Sequence, residues 1–193
     1  MSFSVVRFDD VALQPWKNSG GVTRELLAWP SVSEWALRLS VADIERDGPF
    51  SAFPGIDRWF AVLTGNGVRL GAPESVIQRG DDALNFDGAL APDCWLIDGP
   101  TRDLNLMIRR DVASGWMKRI VAGFEFPATG TAAVLTGVFS VNGCTLQSSE
   151  APAIEVAPMS LVWSSNRDDT NRLGAIDCAP SALVFGFQCV MSS

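Results

Sequence analysis

Within ten residues, Trp16-Lys17-Asn18-Ser19-Gly20-Gly21-Val22-Thr23-Arg24-Glu25, the chain places an amide, two hydroxyls, an acid and two bases around a glycine pair. Such groups can donate and accept hydrogen bonds to a small polar molecule, and the carboxylate can neutralise a cation or take up a proton. Gly20 and Gly21 permit φ > 0 and close backbone approach. Thr23 and Glu25 stand two apart, so a strand here projects both to one face. An Asn-Ser-Gly-Gly turn in a surface hairpin accounts for the same residues without any ligand. Three more groups belong with this stretch. Arg38 and Ser40 alternate along one strand, and Arg58 follows Asp57 at the end of a long connection. Asp103 and Asn105 share one face of a later strand. A guanidinium offers a planar fork that matches a carboxylate, although solvent-facing strand positions and loop ion pairs explain these arginines equally simply.

Absences narrow the chemistry. The sequence contains no histidine and no tyrosine. A Ser-His-Asp or Cys-His arrangement and a His-ligated metal centre are therefore excluded, and acid–base work falls to Asp, Glu, Lys or Cys. Cys94, Cys144, Cys178 and Cys189 lie far apart with no Cys-x-x-Cys pair, so reduced, mostly buried thiols are expected in place of a zinc site or disulfide framework. The net charge of −7 disfavours nucleic acid and anionic membrane surfaces. No apolar run reaches membrane-spanning length and Met1-Ser2-Phe3-Ser4 has no signal-peptide character, so the expected compartment is the cytoplasm.

The elements that must position these groups read as strands. Residues 3–13 form an opening strand and turn. Ser33–Ile44 is the clearest alternating segment, with Trp35, Leu37, Leu39 and Val41 on one face and Ala36, Arg38, Ser40 and Ala42 on the other. That second face fits either solvent or the lining of a pocket. Residues 43–58 form a long connection with two Gly/Pro pairs and two phenylalanines; Ser51 is its only hydroxyl. Such loops are often packed and functional. Trp59–Gly65 is a near-continuous apolar run followed by an Asn66-Gly67 turn. Short strands are expected at 76–78, 83–86, 94–98 and 104–109, and Ala113–Arg119 reads as a bridge to a second half.

That second half repeats the first. Ala133-Val134-Leu135-Thr136-Gly137 matches Ala61-Val62-Leu63-Thr64-Gly65 residue for residue, an Asn142-Gly143 turn follows, and later strands at 154–156, 161–163 and 182–188 fall in the order of 84–86, 95–97 and 104–108. Many short strands, Gly/Pro/Asp turns and no long helical periodicity point to an all-β sandwich or barrel, and the duplication to two of them.

Trp16-Lys17-Asn18 with Gly20–Glu25, then Trp35–Ile44, then Gly48-Pro49-Phe50-Ser51, Phe53-Pro54-Gly55 and Asp57-Arg58 together carry a resemblance to the HutD/Ves family, a cupin-like group associated with bacterial histidine utilisation. The resemblance covers most of the first 110 residues. It implies an all-β, double-stranded β-helix (cupin-like) fold with two barrels in one chain: residues 1–112 carrying the pocket and 113–193 as scaffold. Metal-dependent cupins use histidines, which this chain lacks, so no metal and no cofactor are expected. The implied role is binding of a small carboxylate of the pathway, urocanate or N-formylglutamate, to sense or limit it. Arg38 is the first candidate to grip the carboxylate and Arg58 the second. Asn18, Thr23 and Ser40 supply neutral hydrogen bonds, Gly20 and Gly21 backbone geometry, and Ser51 the pocket mouth. Glu25 pairs with Arg38 or accepts a ligand proton, and Asp103 and Asn105 point into the same space. No residue is assigned a catalytic role. The alternatives are a cofactor-free isomerase or hydrolase with Glu25 or Asp103 as general base, and a protein-interaction module; edge strands admit a homodimer.

Overall fold

The computed structural model describes residues 3–16, 19–71, 74–127, 134–147, 152–166, 175–179 and 182–192. They form an all-β protein, and among the described residues the only helices are single 3-10 turns at Phe8–Asp10 and Gly88–Leu90. The chain divides into two compact units, Val11–Asp111 and Met1–Asp10 with Val112–Ser193. These are called the N-terminal and C-terminal units below.

The first strand, β1 (Ser4–Arg7), lies in the C-terminal unit. The N-terminal unit holds β2 (Gln14–Pro15), β3 (Gly21–Trp29), β4 (Leu37–Ile44), β5 (Gly48–Pro49) and β6 (Ile56–Thr64). It continues with β7 (Val68–Leu70), β8 (Ser75–Ile77), β9 (Leu84–Asp87), β10 (Asp93–Leu96) and β11 (Thr101–Arg109). The remaining strands are β12 (Ala113–Ile120), β13 (Val134–Ser140), β14 (Cys144–Leu146), β15 (Ile154–Val156), β16 (Ser160–Asn166), β17 (Ile176–Asp177) and β18 (Val184–Met191).

In the N-terminal unit a six-stranded sheet, order β2-β3-β4-β11-β6-β9, accompanies a four-stranded one, order β5-β10-β7-β8. Ile44, Phe60 and Val62 from the first pack with Val68, Leu70, Ile77 and Cys94 from the second. The alternation read in β4 and β11 is realised: Leu37, Leu39, Val41, Leu104, Leu106 and Ile108 occupy one fully buried face of the large sheet. Its other face is apolar at one end and polar at the other. Register sets the polar end in cross-strand rows. Arg58, Met107 and Arg38 form one row, and Phe60, Asn105, Ser40 and Glu25 the next. Val62, Asp103, Ala42 and Thr23 form a third row, deeper in the sheet.

The C-terminal unit has a five-stranded sheet, β1-β16-β13-β18-β12, and a three-stranded one, β15-β14-β17. Strands β12-β18-β13-β16 repeat the order β4-β11-β6-β9, and β17-β14-β15 repeats β10-β7-β8. The duplication is thus present in the topology. Among the described residues, however, no sheet closes on itself into a barrel.

Five expectations change. The strand at 154–156 answers to β8 and that at 161–163 to β9, and not to 84–86 and 95–97. The repeated pentapeptide is not the equivalent segment. Gly65 leaves β6 in a turn with φ 90°, whereas Gly137 lies inside β13, where a Cβ would overlap the Phe187 ring. Superposing the Asn66-Gly67 and Asn142-Gly143 turns sets Thr64 against Ser140, so the identity is out of register by four residues (76 − 72). Ala113–Arg119 is no bridge but part of β12, paired with β18 along its length. The opening strand pairs with β16 and so joins the C-terminal unit. Finally, Asp57 and Arg58 belong to β6 and not to the preceding loop.

Candidate functional site

A cavity of about 420 Å³ opens over the polar end of the large sheet of the N-terminal unit. Its floor is Arg38, Ser40, Ala42 and Ile44 from β4, Asn105 and Met107 from β11, Arg58 from β6 and Thr23 from β3. Two segments complete the wall: Gln14–Trp16, and the loop carrying Pro49, Phe50, Ser51 and Phe53. The face of β4 left ambiguous between solvent and pocket therefore lines a pocket.

Arg58 dominates the electrostatics. It is 4% exposed. One Nη donates to Asn105 Oδ1 at 3.0 Å and the other reaches the Ser51 carbonyl oxygen at 3.5 Å, while Nε has no hydrogen-bond partner among the described residues. The rings of Phe50, Phe86 and Phe53 surround the guanidinium, with centroids 4.9, 5.1 and 5.6 Å from Cζ. No carboxylate among the described residues pairs with it. Asp57, its neighbour in sequence, points to the opposite face of β6 because successive strand residues alternate, and instead lies 3.4 Å from Arg110. Burial first, and the nearby Arg38 charge second, pull the Arg58 pKa down to about 10.

Arg38 stands in the same row, two strands away across Met107. Its Nε lies 2.5 Å from Glu25 Oε2, an ion pair whose N–H is not aimed at the oxygen. Glu25 does not border the cavity, so its role here is to hold Arg38. Thr23 accepts from Trp16 Nε1 at 2.7 Å, which fixes the indole at the rim. Gly20 and Gly21 act through the backbone. The Gly20 carbonyl accepts from Glu45 N–H at 2.9 Å, and a Cβ on Gly21 would overlap the Asp43 carbonyl oxygen and press on the Trp16 ring. Ser51 sits at the mouth, exposed, and contributes its carbonyl to Arg58.

Asp103 does not line the cavity. It is fully buried one row below Asn105, takes a hydrogen bond from Thr101 Oγ1 at 2.8 Å, and has its other oxygen unpartnered among the described residues. Burial drives its pKa well above the usual carboxylate range; the Thr101 bond opposes this and Asp43 adds to it. Asn18 lies outside the described residues. Thr23, Arg38, Ser40, Ser51, Arg58 and Asn105 are thus brought together at the cavity, while Gly20, Gly21, Glu25 and Asp103 support it from behind.

The aromatic wall was missed in the sequence. Phe50 and Phe53 stood in a loop already marked as packed, but Phe86 reaches Arg58 only because β9 pairs with β6. In the C-terminal unit the row matching Phe60, Asn105 and Ser40 reads Thr136, Gln188 and Trp116. Trp116 donates to Gln188 Oε1 at 3.3 Å and stacks on Phe126. Among the described residues no group of three His, Cys, Asp or Glu is placed to hold a metal ion.

With this geometry in hand, comparison with known proteins is decisive at the level of family: the HutD family model matches residues 9–179. The chain belongs to the HutD family. A 21.2 kDa protein from the hutC 3' region of Pseudomonas putida is 39% identical over 108 residues, 53% of this chain and 56% of that protein. The match thus spans little more than half of that relative. Protein Ves of Cronobacter sakazakii is 32% identical over 149 residues, 71% of this chain and 80% of Ves. Among solved structures, HutD from Pseudomonas fluorescens SBW25 superposes over 100% of both chains with TM-score 0.80 and 25% identity. A cupin 2 conserved barrel domain protein from Leptotrichia buccalis, at 10% identity and TM-score 0.52 over 98% of this chain and 96% of its own, places this HutD protein's fold as cupin-like.

Proposed function

We propose that this HutD protein binds a small carboxylate of the histidine-utilisation pathway, urocanate or N-formylglutamate, in the N-terminal cavity and so senses or limits that intermediate. One observation carries the reading: a buried guanidinium, Arg58, borders a cavity with no carboxylate beside it. A buried cation without a counter-charge is costly, and an incoming carboxylate supplies the missing partner through charge-assisted hydrogen bonds. Asn105 and the Ser51 carbonyl hold the guanidinium, whose buried Nε has no partner among the described residues. Arg38, already neutralised by Glu25, is a second and weaker anion contact. Ser40 offers a hydroxyl, and the Trp16, Phe50 and Phe53 rings suit a flat or short-chain body.

The reading includes the finer architecture, two cupin-like barrels in which the N-terminal one binds and the C-terminal one supports, and a cytoplasmic setting. Binding is favoured over turnover because neither carboxylate named as a general base borders the cavity: Glu25 is held by Arg38, and Asp103 is fully buried without lining it. The test is thermal melting of the purified protein against urocanate, N-formylglutamate, histidine and glutamate. A ligand present at about one hundred times its Kd adds about 2.7 kcal/mol to the folded state. The reading expects a rise with one of the first two that Arg58→Met abolishes; no rise with any of them at millimolar concentration overturns it.

A further inference from the structure

The C-terminal unit places two thiols where their distant positions in sequence gave no sign of a pair. Strands β14 and β17 run antiparallel, with Thr145 opposite Asp177 and Leu146 opposite Ile176. One step further, the same register sets Cys144 opposite Cys178. In the other direction the Gln147 N–H donates to the Ala175 carbonyl at 2.8 Å, which makes that couple a hydrogen-bonded pair. Hydrogen-bonded and non-hydrogen-bonded pairs alternate along an antiparallel ladder, so 146/176 is of the non-hydrogen-bonded kind, and 144/178, one step past the end of β17 at Asp177, continues in the same phase. Ile176 agrees: its N–H goes to Phe124 and its carbonyl accepts from Gly123. In such pairs the Cα atoms stand about 4.5 Å apart with side chains leaning together, inside the span of about 4.4–6.8 Å that a disulfide bridges. Both cysteines are free and turn to the same side, Cys144 within the apolar core and Cys178 packed against it. Both also border one open cavity of about 540 Å³.

We propose that Cys144 and Cys178 are a redox modification site, a cross-strand dithiol that a peroxide converts to a disulfide. The thiolate of Cys178, the more exposed of the two, attacks a peroxide oxygen. The O–O bond breaks, hydroxide leaves, and Cys178 carries a sulfenic acid. The Cys144 thiolate then attacks the Cys178 sulfur; the S–O bond breaks, the S–S bond forms and a second hydroxide departs. With the two thiol protons, two thiols and one hydrogen peroxide give one disulfide and two waters, and two electrons pass from sulfur to oxygen.

The surroundings set the pace. Burial and Asp177 raise the Cys178 pKa while Arg119 pulls it back, and burial lifts Cys144 to about 11. The thiolate is the nucleophile, so the step is slow at neutral pH and faster in mild alkali. Cys94 and Cys189 serve as internal controls. Each is fully buried, and their cross-strand partners are Leu70 and Gly48 for the first, Leu135 and Gly115 for the second.

The test treats the full, pre-reduced chain with hydrogen peroxide at mildly alkaline pH, quenches, alkylates under denaturing conditions and maps the peptides by mass spectrometry. The site predicts that two of the four cysteines escape alkylation, that a peptide links Cys144 to Cys178, and that dithiothreitol restores both. Cys144→Ser should leave a sulfenic acid on Cys178 that dimedone traps, with no link. Four alkylated cysteines after peroxide, a link joining any other pair, or oxidation of Cys178 in the native chain without the link would each overturn the proposal. The native chain alone decides the outcome if the serine variant does not fold.

Discussion

Arg58→Met is the substitution that best separates a ligand-gripping cation from a structural one. The guanidinium is pulled down to about 10; at about 1.4 kcal/mol per pH unit, its displacement from the ordinary arginine value corresponds to about 3 kcal/mol held against the charged form. Methionine relieves that cost. It also forfeits the contacts with Phe50, Phe53 and Phe86, worth about 0.5–1 kcal/mol each, and leaves Asn105 Oδ1 without its donor, about 1–3 kcal/mol. The losses come to about 2.5–6 kcal/mol against about 3 relieved, so Arg58→Met should cost about 1 kcal/mol at mid-range, and less than about 3, in urea unfolding. Adding Asn105→Leu removes the orphaned amide too, and the double variant should be at least as stable as the native chain, because replacing both partners with apolar groups avoids the unpaired remnant. Both variants should lose the ligand-induced rise in melting midpoint. A structural cation behaves differently: removing one partner of a needed buried pair costs about 3–5 kcal/mol. A loss of that size in Arg58→Met, or a carboxylate that still stabilises it, refutes the reasoning.

Asp103→Asn tests the buried carboxyl. Its folded pKa lies above the unfolded value, so its contribution is fully present below the unfolded pKa of about 4 and is lost as pH rises toward the folded value. Urea midpoints from pH 4 upward should therefore fall more steeply for the native protein than for Asp103→Asn, and the variant should be the more stable at neutral pH; parallel profiles would count against a raised carboxyl. Gly21→Ala forces a Cβ onto the Asp43 carbonyl and the Trp16 ring, so it should cost about 1–3 kcal/mol by overpacking and weaken ligand binding as the rim indole shifts, read by melting and titration calorimetry. Arg38→Ala should weaken carboxylate binding far less than Arg58→Met, because Glu25 already neutralises it; the same calorimetry would refute this ranking if the two losses were equal. Glu25→Gln should change stability by no more than about 1 kcal/mol, as expected for a partly exposed pair, and should tighten anion binding by freeing Arg38.

What the sequence determined by itself was the local periodicity and the chemistry on offer. Alternation in Trp35–Ile44 and along 104–109 is written in side-chain type, because a strand half-buried on one face must alternate. That made β4 and β11 legible, along with Arg38, Ser40 and Asn105 on a shared polar face. The missing histidines excluded whole mechanisms without any structure. Tertiary structure decided what stood opposite what. Whether the polar face met solvent or a cavity depended on the Phe50 loop folding over it. Arg58 is buried without a carboxylate partner among the described residues because β6 begins at Ile56, which turns Asp57 away, and β9 brings Phe86 alongside; the proposed binding role ranks it above Arg38 on that ground. Asp103 shares its cross-strand row with the floor residues Thr23 and Ala42 yet is buried away from the cavity, and the Ala-Val-Leu-Thr-Gly repeat proved to be out of register with the duplicated strands. Cys144 and Cys178 met only through the β14–β17 ladder. Each of these is a pairing between segments far apart in the chain, and such pairings are fixed by register and by loop closure, neither of which a single stretch of sequence contains.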